Sequence, residues 1–135
     1  MRLIVNTNRI IAALVRDSVS RKIITHIDAE LITIDFSQKE IGKYKTLITK
    51  KAKIDYEEFD VILDKLKGYL VILDDRIISE YVDEARRIMD HIDPDDTPFI
   101  AAALATKSEI WSDDKHFERQ NKVKIWKTKD LIKFI

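Results

Sequence analysis

The sequence predicts an α/β fold in which a central parallel sheet of about five short strands is covered by helices on both faces. Short runs of β-branched and other apolar residues alternate with longer segments that have the apolar period of helices. Strands separated by helices imply right-handed crossovers, and these produce a parallel sheet. At 135 residues, without a linker or an internal repeat, the chain is expected to form one domain over residues 1–135.

The predicted strands are short buried runs. Residues 2–5 open the chain with the first of them, and residues 31–34 form a second, β-branched run. The full set is expected at residues 2–5, 31–34, 69–73, 109–112 and 122–126.

Helices are predicted between these strands. Thr7 offers an N-cap for a first helix that runs through Ile10 and Leu14. Residues 37–51 and 56–67 are predicted to form an antiparallel helix pair, because the segment between them is too short for anything but a turn. The remaining helices are expected at residues 18–28, 79–91, 98–107 and 129–134.

The composition limits the chemistry of any site. Lys plus Arg and Asp plus Glu both number 24, so the net charge gives no steering toward nucleic acid, and only local basic patches could supply it. The chain has no cysteine, so a metal would need oxygen or imidazole ligands, and oxygen ligands favour Mg²⁺ or Mn²⁺. Without a long apolar run or a secretory signal, the protein is expected in the cytoplasm with no membrane association.

Several enzyme classes lack their motifs. Two glycines in total leave no phosphate-cradling loop, and neither a P-loop nor a serine nucleophile elbow is present. The three histidines, His26, His91 and His116, lie on separate segments without the paired spacing of a zinc motif. We therefore expect surface roles for them.

Polar residues follow two of the predicted strands at the point where each strand ends. Asn6 and Asn8 come directly after the first strand, and Asp113 and Asp114 come directly after the fourth. In an open parallel sheet, ligands bind beyond the carboxyl ends of the strands. Each residue alone also fits a turn or a cap, but their joint placement favours a site.

Two further acidic residues have competing interpretations. Asp96 precedes a buried helix that carries Pro98 in its first turn, so Asp95 or Asp96 could cap that helix. Glu40 closes a Ser37-Gln38-Lys39-Glu40 capping box at the start of another helix. Local sequence alone favours the capping roles.

Four segments in order resemble the motifs of the PIN domain family, metal-dependent ribonucleases that include the VapC toxins of toxin–antitoxin pairs. Asn6 stands where the first motif normally has an aspartate. Glu40 and Asp96 match the acidic residues of the second and third motifs, and Ser112 and Asp114 match the fourth. The segments are VNTN at 5–8, FSQKEI at 36–41, DDTPFIAAA at 95–103 and IWSDDKHF at 110–117. The likeness covers nearly the whole chain.

The resemblance implies a PIN-like three-layer domain with a catalytic metal centre. The implied catalytic and metal-binding residues are Asn6, Glu40, Asp96 and Asp114, with Asp113 as an additional candidate ligand and Asn8 and Ser112 in supporting positions. They would hold Mg²⁺ or Mn²⁺, which would activate a water molecule for attack on the phosphodiester bond. The resemblance also implies an RNA substrate, an antitoxin partner and a homodimer.

Asn6 is the departure from the family pattern. An amide oxygen can ligate a metal weakly, but it brings no negative charge and cannot act as a base. A natural loss of the carboxylate and a replacement made to silence the nuclease both account for it. We predict an endoribonuclease, of toxin type or for RNA processing, that is silenced or weakened by Asn6.

Two other functions remain open from the sequence. One is a catalytically degenerate module that keeps the fold and binds RNA or a partner. The other is a response-regulator receiver, because Asp74 follows an apolar strand, although the acidic pair that a receiver carries after its first strand is missing.

Overall fold

A parallel sheet of five strands forms the centre of the structure, a computed structural model that describes residues 1–16 and 18–135. The strand order is β3-β2-β1-β4-β5, and every neighbouring pair is parallel. The strands are β1 Arg2–Val5, β2 Glu30–Ile34, β3 Leu70–Leu73, β4 Glu109–Trp111 and β5 Ile125–Trp126. The predicted α/β class and the parallel sheet are confirmed.

Helices connect the strands and cover both faces of the sheet. They are α1 Thr7–Val15, α2 Val19–His26, α3 Asp35–Lys43, α4 Lys45–Ala52, α5 Tyr56–Lys67, α6 Asp75–Ile78, α7 Val82–Met89, α8 Thr97–Thr106 and α9 Thr128–Leu131. None of the helices in the described part of the chain combines the length and apolar character needed to span a bilayer.

The three layers follow from the alternation of side chains along the central strand. Leu3 and Val5 pack into a core with α1, α2, α4 and α5 on one face. Ile4 points to the other face and packs with α7 and α8. Because successive residues of a strand face opposite sides, a strand covered on both faces must be apolar throughout. This explains why β1 has no polar position between Leu3 and Val5.

The strand order places the ends of β1 and β4 at the centre of one sheet edge. β1 pairs with β2 on one side and with β4 on the other, with Ile4 opposite both Ile32 and Ile110. The connections run outward from this point in both directions, so a crevice opens beyond the carboxyl ends of β1 and β4, where doubly wound folds bind ligands. Asp74 instead follows the edge strand β3, and the strand order differs from the 2-1-3-4-5 order of receivers. The receiver interpretation is wrong.

Helix α8 packs closely against the sheet because three consecutive small residues lie in the middle of its buried surface. Ala101 and Ala102 are fully buried, and Ala103 nearly so. The helix contacts both β1 and β4. Its N-terminus therefore lies beside the crevice, and the acidic residues that precede α8 are brought to the ends of these strands.

Several predicted boundaries are wrong. The helix predicted over 37–51 is interrupted at Tyr44, whose backbone leaves the helical region (φ −99°, ψ 11°). Residues 79–81 form a 3₁₀ turn that precedes α7, and α6 was not predicted. The last strand is shorter than expected, because only Ile125 and Trp126 pair with β4.

Candidate metal centre

Asn6 lies at the end of β1 and is tied to the end of β4. Its backbone N–H donates to the Trp111 carbonyl at 3.1 Å, and its side-chain Oδ1 accepts from the Asn8 N–H at 3.0 Å. Asn6, and not Thr7 as predicted, is therefore the N-cap of α1. The residue is 4% exposed. Because aspartate and asparagine cap helices equally well, a carboxylate at this position would be compatible with the same backbone.

Glu40 is held toward the β1 loop by Thr7. The Thr7 hydroxyl donates to Glu40 Oε1 at 2.7 Å, and it lies 2.9 Å from the Ser37 hydroxyl. The predicted capping box is wrong, because α3 begins two residues earlier than Ser37 and its N-cap, Ile34, has no side-chain cap bond. The Ser37 and Glu40 side chains face the β1 loop instead of the start of their own helix.

A second group of acidic residues surrounds the imidazole of His116. Its Nδ1 lies 3.0 Å from Asp93 Oδ2, 3.6 Å from Asp96 Oδ2 and 3.2 Å from Asp114 Oδ1. Asp93 and Asp96 come from the turn before α8, and Asp114 and His116 come from the turn after β4. The His116 side chain is 46% exposed, as expected for a surface residue, but its ring nitrogen also lies between the two acidic turns.

Asp96 is the least satisfied carboxylate of this group. It is 8% exposed, and its Oδ2 is enclosed without a hydrogen-bond partner among residues 1–16 and 18–135. It does not cap α8, since its side chain makes no cap bond there, while Asp93 caps the preceding 3₁₀ turn by accepting from the Asp95 N–H at 3.0 Å. The capping interpretation of Asp96 is therefore wrong.

Negative charges outweigh positive ones around Asp96, where His116 only partly offsets the neighbouring carboxylates. Burial, followed by the negative charges of Asp114 and Asp93, raises the pKa of Asp96 to about 7. A buried carboxylate is stable only when it is paired, protonated or bound to a metal. The enclosed oxygen beside two further carboxylates therefore fits a divalent cation, and the oxygen donors suit a hard ion.

The supporting residues fix the turn after β4. Ser112 is buried, and its hydroxyl accepts from the Asp114 N–H at 3.0 Å. Asp114 Oδ1 in turn accepts from the His116 N–H at 2.9 Å. Asn8 has a matching place after β1, where its N–H donates to Asn6. Ser112 and Asn8 thus hold the two loops that carry Asp114 and Asn6.

Glu40 and the turn before α8 face a common space. A cavity of about 380 Å³ lies between α3 and this turn. Its lining residues are Phe36, Lys39, Glu40, Lys43, Tyr44 and Asp95. Glu40 therefore lines the same cavity as Asp95, the residue next to Asp96, and two lysines also line it.

Asp113 differs from its neighbour Asp114, because both of its oxygens are already engaged. Oδ1 accepts from the Thr128 N–H at 2.8 Å, and Oδ2 accepts from the Thr128 hydroxyl at 2.7 Å and pairs with Arg9 at 2.9 Å. These contacts anchor the N-terminus of α9. They give Asp113 a structural role, and we do not include it in the metal centre.

We predict that Asp113→Ala lowers stability and leaves metal affinity unchanged. Loss of two hydrogen bonds and a partly exposed ion pair should cost about 1–2 kcal/mol. The free energy of unfolding and the Mn²⁺ dissociation constant of the same preparation measure the two effects. A tenfold weaker Mn²⁺ affinity would return Asp113 to the ligand set.

The chain is similar to known proteins in sequence pattern and in fold. A family model described as a PIN domain matches residues 4–133. A chain in the crystal structure of VapBC2 from Rickettsia felis, bound to a DNA fragment from their promoter, matches with a TM-score of 0.71 and 18% sequence identity. That match covers 94% of this chain and 98% of the other, and at such an identity it shows the fold alone. Comparison with curated proteins finds no match.

Proposed function

The chain belongs to the PIN domain family, and from that premise we propose that it is a metal-dependent endoribonuclease of the toxin type that is weakened or silenced by Asn6. The observation that carries the proposal is the enclosed, unpartnered oxygen of Asp96 beside Asp93 and Asp114. Burial, together with the neighbouring carboxylates, raises the pKa of Asp96 to about 7. Such an arrangement destabilises the fold at neutral pH and is typical of functional sites.

We assign the metal to the carboxylates at the crevice. Asp96, Asp114 and Glu40, with the amide oxygen of Asn6, would hold Mg²⁺ or Mn²⁺ at the ends of β1 and β4. When bound, the ion supplies positive charge that activates water and stabilises the charge developing on the phosphate. Thr7 positions Glu40 by donating to its Oε1. Asp96, from its buried place, excludes solvent from one side of the ion.

Asn6 accounts for a low activity of this chain. Its Oδ1 accepts the Asn8 N–H and has one further lone pair for an ion, but an amide carries no charge to attract that ion. The carboxylates of the other loops remain in place, so the chain would keep a metal centre of reduced affinity. The loss of nuclease activity is therefore expected to be reversed by the single substitution Asn6→Asp.

Basic residues beside Glu40 provide a place for the RNA backbone. Lys39 and Lys43 line the same cavity as Glu40, together with the partly exposed ring of Tyr44. Lysines bind phosphates through charge, and aromatic rings stack on unpaired bases. This arrangement supports a single-stranded RNA segment that crosses the cavity toward the carboxylates.

An antitoxin protein and a second copy of the chain are the proposed partners. The structure with a similar fold contains VapBC2 bound to a promoter DNA fragment, and the resemblance to VapC toxins supports an antitoxin for this chain. A symmetric dimer would join two crevices into one longer groove for RNA. We propose a cytoplasmic location, in keeping with these partners and with an RNA substrate.

The second candidate function is a degenerate PIN-fold module that binds RNA or a partner without turnover. Asn6 is the observation that favours it. The two functions differ in what Asn6→Asp does, because a degenerate module would have lost more than one catalytic requirement. Restoring the aspartate would then give binding without cleavage.

Expression in a bacterial host tests the proposal at the level of function. We expect induction of the Asn6→Asp variant to stop growth and to fragment cellular RNA, while the parent chain and Asn6→Asp combined with Asp114→Asn do not. The combined variant is the matched control, since it differs from Asn6→Asp only by the loss of the negative charge at position 114. Growth arrest by that control would show that toxicity does not come from the metal centre, and unimpaired growth with Asn6→Asp at equal protein level would favour the degenerate module.

A further inference from the structure

His116 lies inside the acidic cluster, although the proposed nuclease centre contains no histidine. We propose that His116 Nδ1 and Asp93 are additional metal ligands beside Asp96, and that this nitrogen donor makes the centre prefer a first-row transition-metal ion such as Mn²⁺ over Mg²⁺. The inference rests on the proposed function in taking Asp96 as a metal ligand. It adds a nitrogen donor and an ion preference that the proposed function does not contain.

The three side chains have the spacing of a metal site. One ligand atom from each of Asp93, Asp96 and His116 can be chosen so that all three lie within 4.8 Å of one another. Ligands on opposite sides of an ion are separated by about twice a bond length of about 2.0–2.2 Å, and adjacent ligands are closer. The cluster therefore needs only a small contraction to enclose an ion.

Two of these atoms are enclosed without a partner. Asp96 Oδ2 and His116 Nδ1 are both buried, and neither makes a hydrogen bond within the described part of the chain. Asp96 as a whole is 8% exposed, and its oxygen faces the nitrogen at 3.6 Å. A buried oxygen without a hydrogen-bond partner is unfavourable. A bound cation would satisfy this oxygen and the ring nitrogen together.

A protonated His116 that forms ion pairs is the alternative arrangement. A charged imidazole would donate its Nδ1–H to one carboxylate in a short, aligned bond. Asp93 Oδ2 lies at 3.0 Å, yet the contact lacks hydrogen-bond geometry and leaves Nδ1 unpartnered among the residues described. The orientation of the ring therefore favours a shared cation over a direct ion pair.

The remaining atoms of these residues hold them in place. Asp93 Oδ1 accepts from the Asp95 N–H, which leaves Oδ2 for the cluster. The backbone N–H of His116 donates to Asp114 Oδ1 at 2.9 Å, and this bond fixes the turn that carries the ring. Both new ligands thus come from turns fixed by their own backbone contacts.

The nitrogen donor determines the ion preference. Mg²⁺ is bound through oxygen and rarely accepts imidazole, whereas imidazole suits transition-metal ions. A centre of carboxylates plus one histidine should therefore bind Mn²⁺ more tightly than Mg²⁺. Removal of the ring should weaken Mn²⁺ and leave Mg²⁺ binding nearly unchanged.

Pulsed EPR of Mn²⁺ bound to the parent chain without RNA tests the proposal. We expect a ¹⁴N coupling to the ion that is replaced by a ¹⁵N coupling when the protein carries ¹⁵N-labelled histidine. The coupling should disappear in His116→Gln and persist in His26→Gln, which alters an exposed histidine at the end of α2. His116→Gln should also weaken Mn²⁺ by at least the roughly tenfold that loss of a ligand's hydrogen-bond partner costs.

Isotope labelling needs no substitution, so the test stands even if His116→Gln does not fold. No Mn²⁺ bound at millimolar concentration, bound Mn²⁺ without nitrogen coupling, or coupling that survives in folded His116→Gln would each overturn the proposal. RNA cleavage by Asn6→Asp without nitrogen coupling would show that His116 is not a metal ligand, and the proposed function would stand. Nitrogen coupling without RNA cleavage by Asn6→Asp would keep His116 as a metal ligand and contradict the proposed function.

Discussion

Asp96→Asn is expected to stabilise the metal-free protein above pH 7 and to abolish the stabilisation that Mn²⁺ gives to the parent chain. Burial and the neighbouring carboxylates Asp114 and Asp93 raise the pKa of Asp96 to about 7, from an ordinary value of 3.8. Asparagine has nearly the same shape and no charge. The substitution therefore removes an unfavourable charge and a metal ligand at once.

The change in stability with pH follows from the pKa of Asp96 in the folded protein and in the unfolded chain. The folded protein holds the Asp96 proton more tightly than the unfolded chain, so this contribution to stability is fully present below pH 3.8 and is lost as pH rises through about 7. The difference corresponds to a free energy on the order of 4 kcal/mol, which is an upper bound because neighbouring groups relax. Above pH 7 the parent chain has lost this stabilisation and the variant has not.

Thermal unfolding in EDTA and in Mn²⁺, at pH 4 and pH 8, measures both effects. We expect Asp96→Asn to have a Tm several degrees above the parent at pH 8 in EDTA, a similar Tm at pH 4, and no response to Mn²⁺. Asp95→Asn is the matched control, because Asp95 is an exposed neighbour, and it should keep the Mn²⁺ response. A variant less stable than the parent at pH 8 in EDTA would contradict the account of Asp96.

Asn6→Asp is expected to raise the affinity for divalent metal at least tenfold. Two unit charges about 4 Å apart interact by about 4 kcal/mol at an effective dielectric near 20. If about a third survives desolvation, near 1.4 kcal/mol, the affinity changes about tenfold. The fold should tolerate the change, since aspartate can accept the Asn8 N–H as the N-cap of α1.

Calorimetric titration with Mn²⁺ and Mg²⁺ measures this effect. Asn8→Asp is the control, because it adds the same charge two residues away at an exposed position. We expect Asn8→Asp to change affinity much less than Asn6→Asp. Equal gains from the two variants would mean that general charge, and not ligation at position 6, attracts the ion.

The sheet could be predicted because its signal is local. Strands covered on both faces are apolar along most of their length, so β1 and β2 stand out in the sequence despite the buried Thr33 of β2. The interruption at Tyr44 could not be predicted, because the periodic apolar residues continue across it and the break depends on how α3 and α4 pack against α1. Boundaries that depend on tertiary packing leave little trace in a single sequence.

The candidate site was predicted from the resemblance and not from local sequence. Asp96 and Glu40 each fit a helix cap, and only the structure shows that Asp93 caps the turn before α8 and that Glu40 accepts from Thr7. His116 was missed because its partners are distant in sequence, apart from Asp114. The one available signal was the Asp114-Lys115-His116 spacing, since a tight turn after a strand brings positions two apart together.

Cleavage of RNA by purified Asn6→Asp protein tests the central claim most directly. The account predicts that Asn6→Asp cleaves a defined RNA in Mg²⁺ or Mn²⁺, that EDTA stops the reaction, and that both the parent chain and Asn6→Asp with Asp114→Ala are nearly inactive. Equal cleavage by the parent and by Asn6→Asp would contradict the role of Asn6. Cleavage that survives EDTA or Asp114→Ala would contradict a metal centre at the ends of β1 and β4.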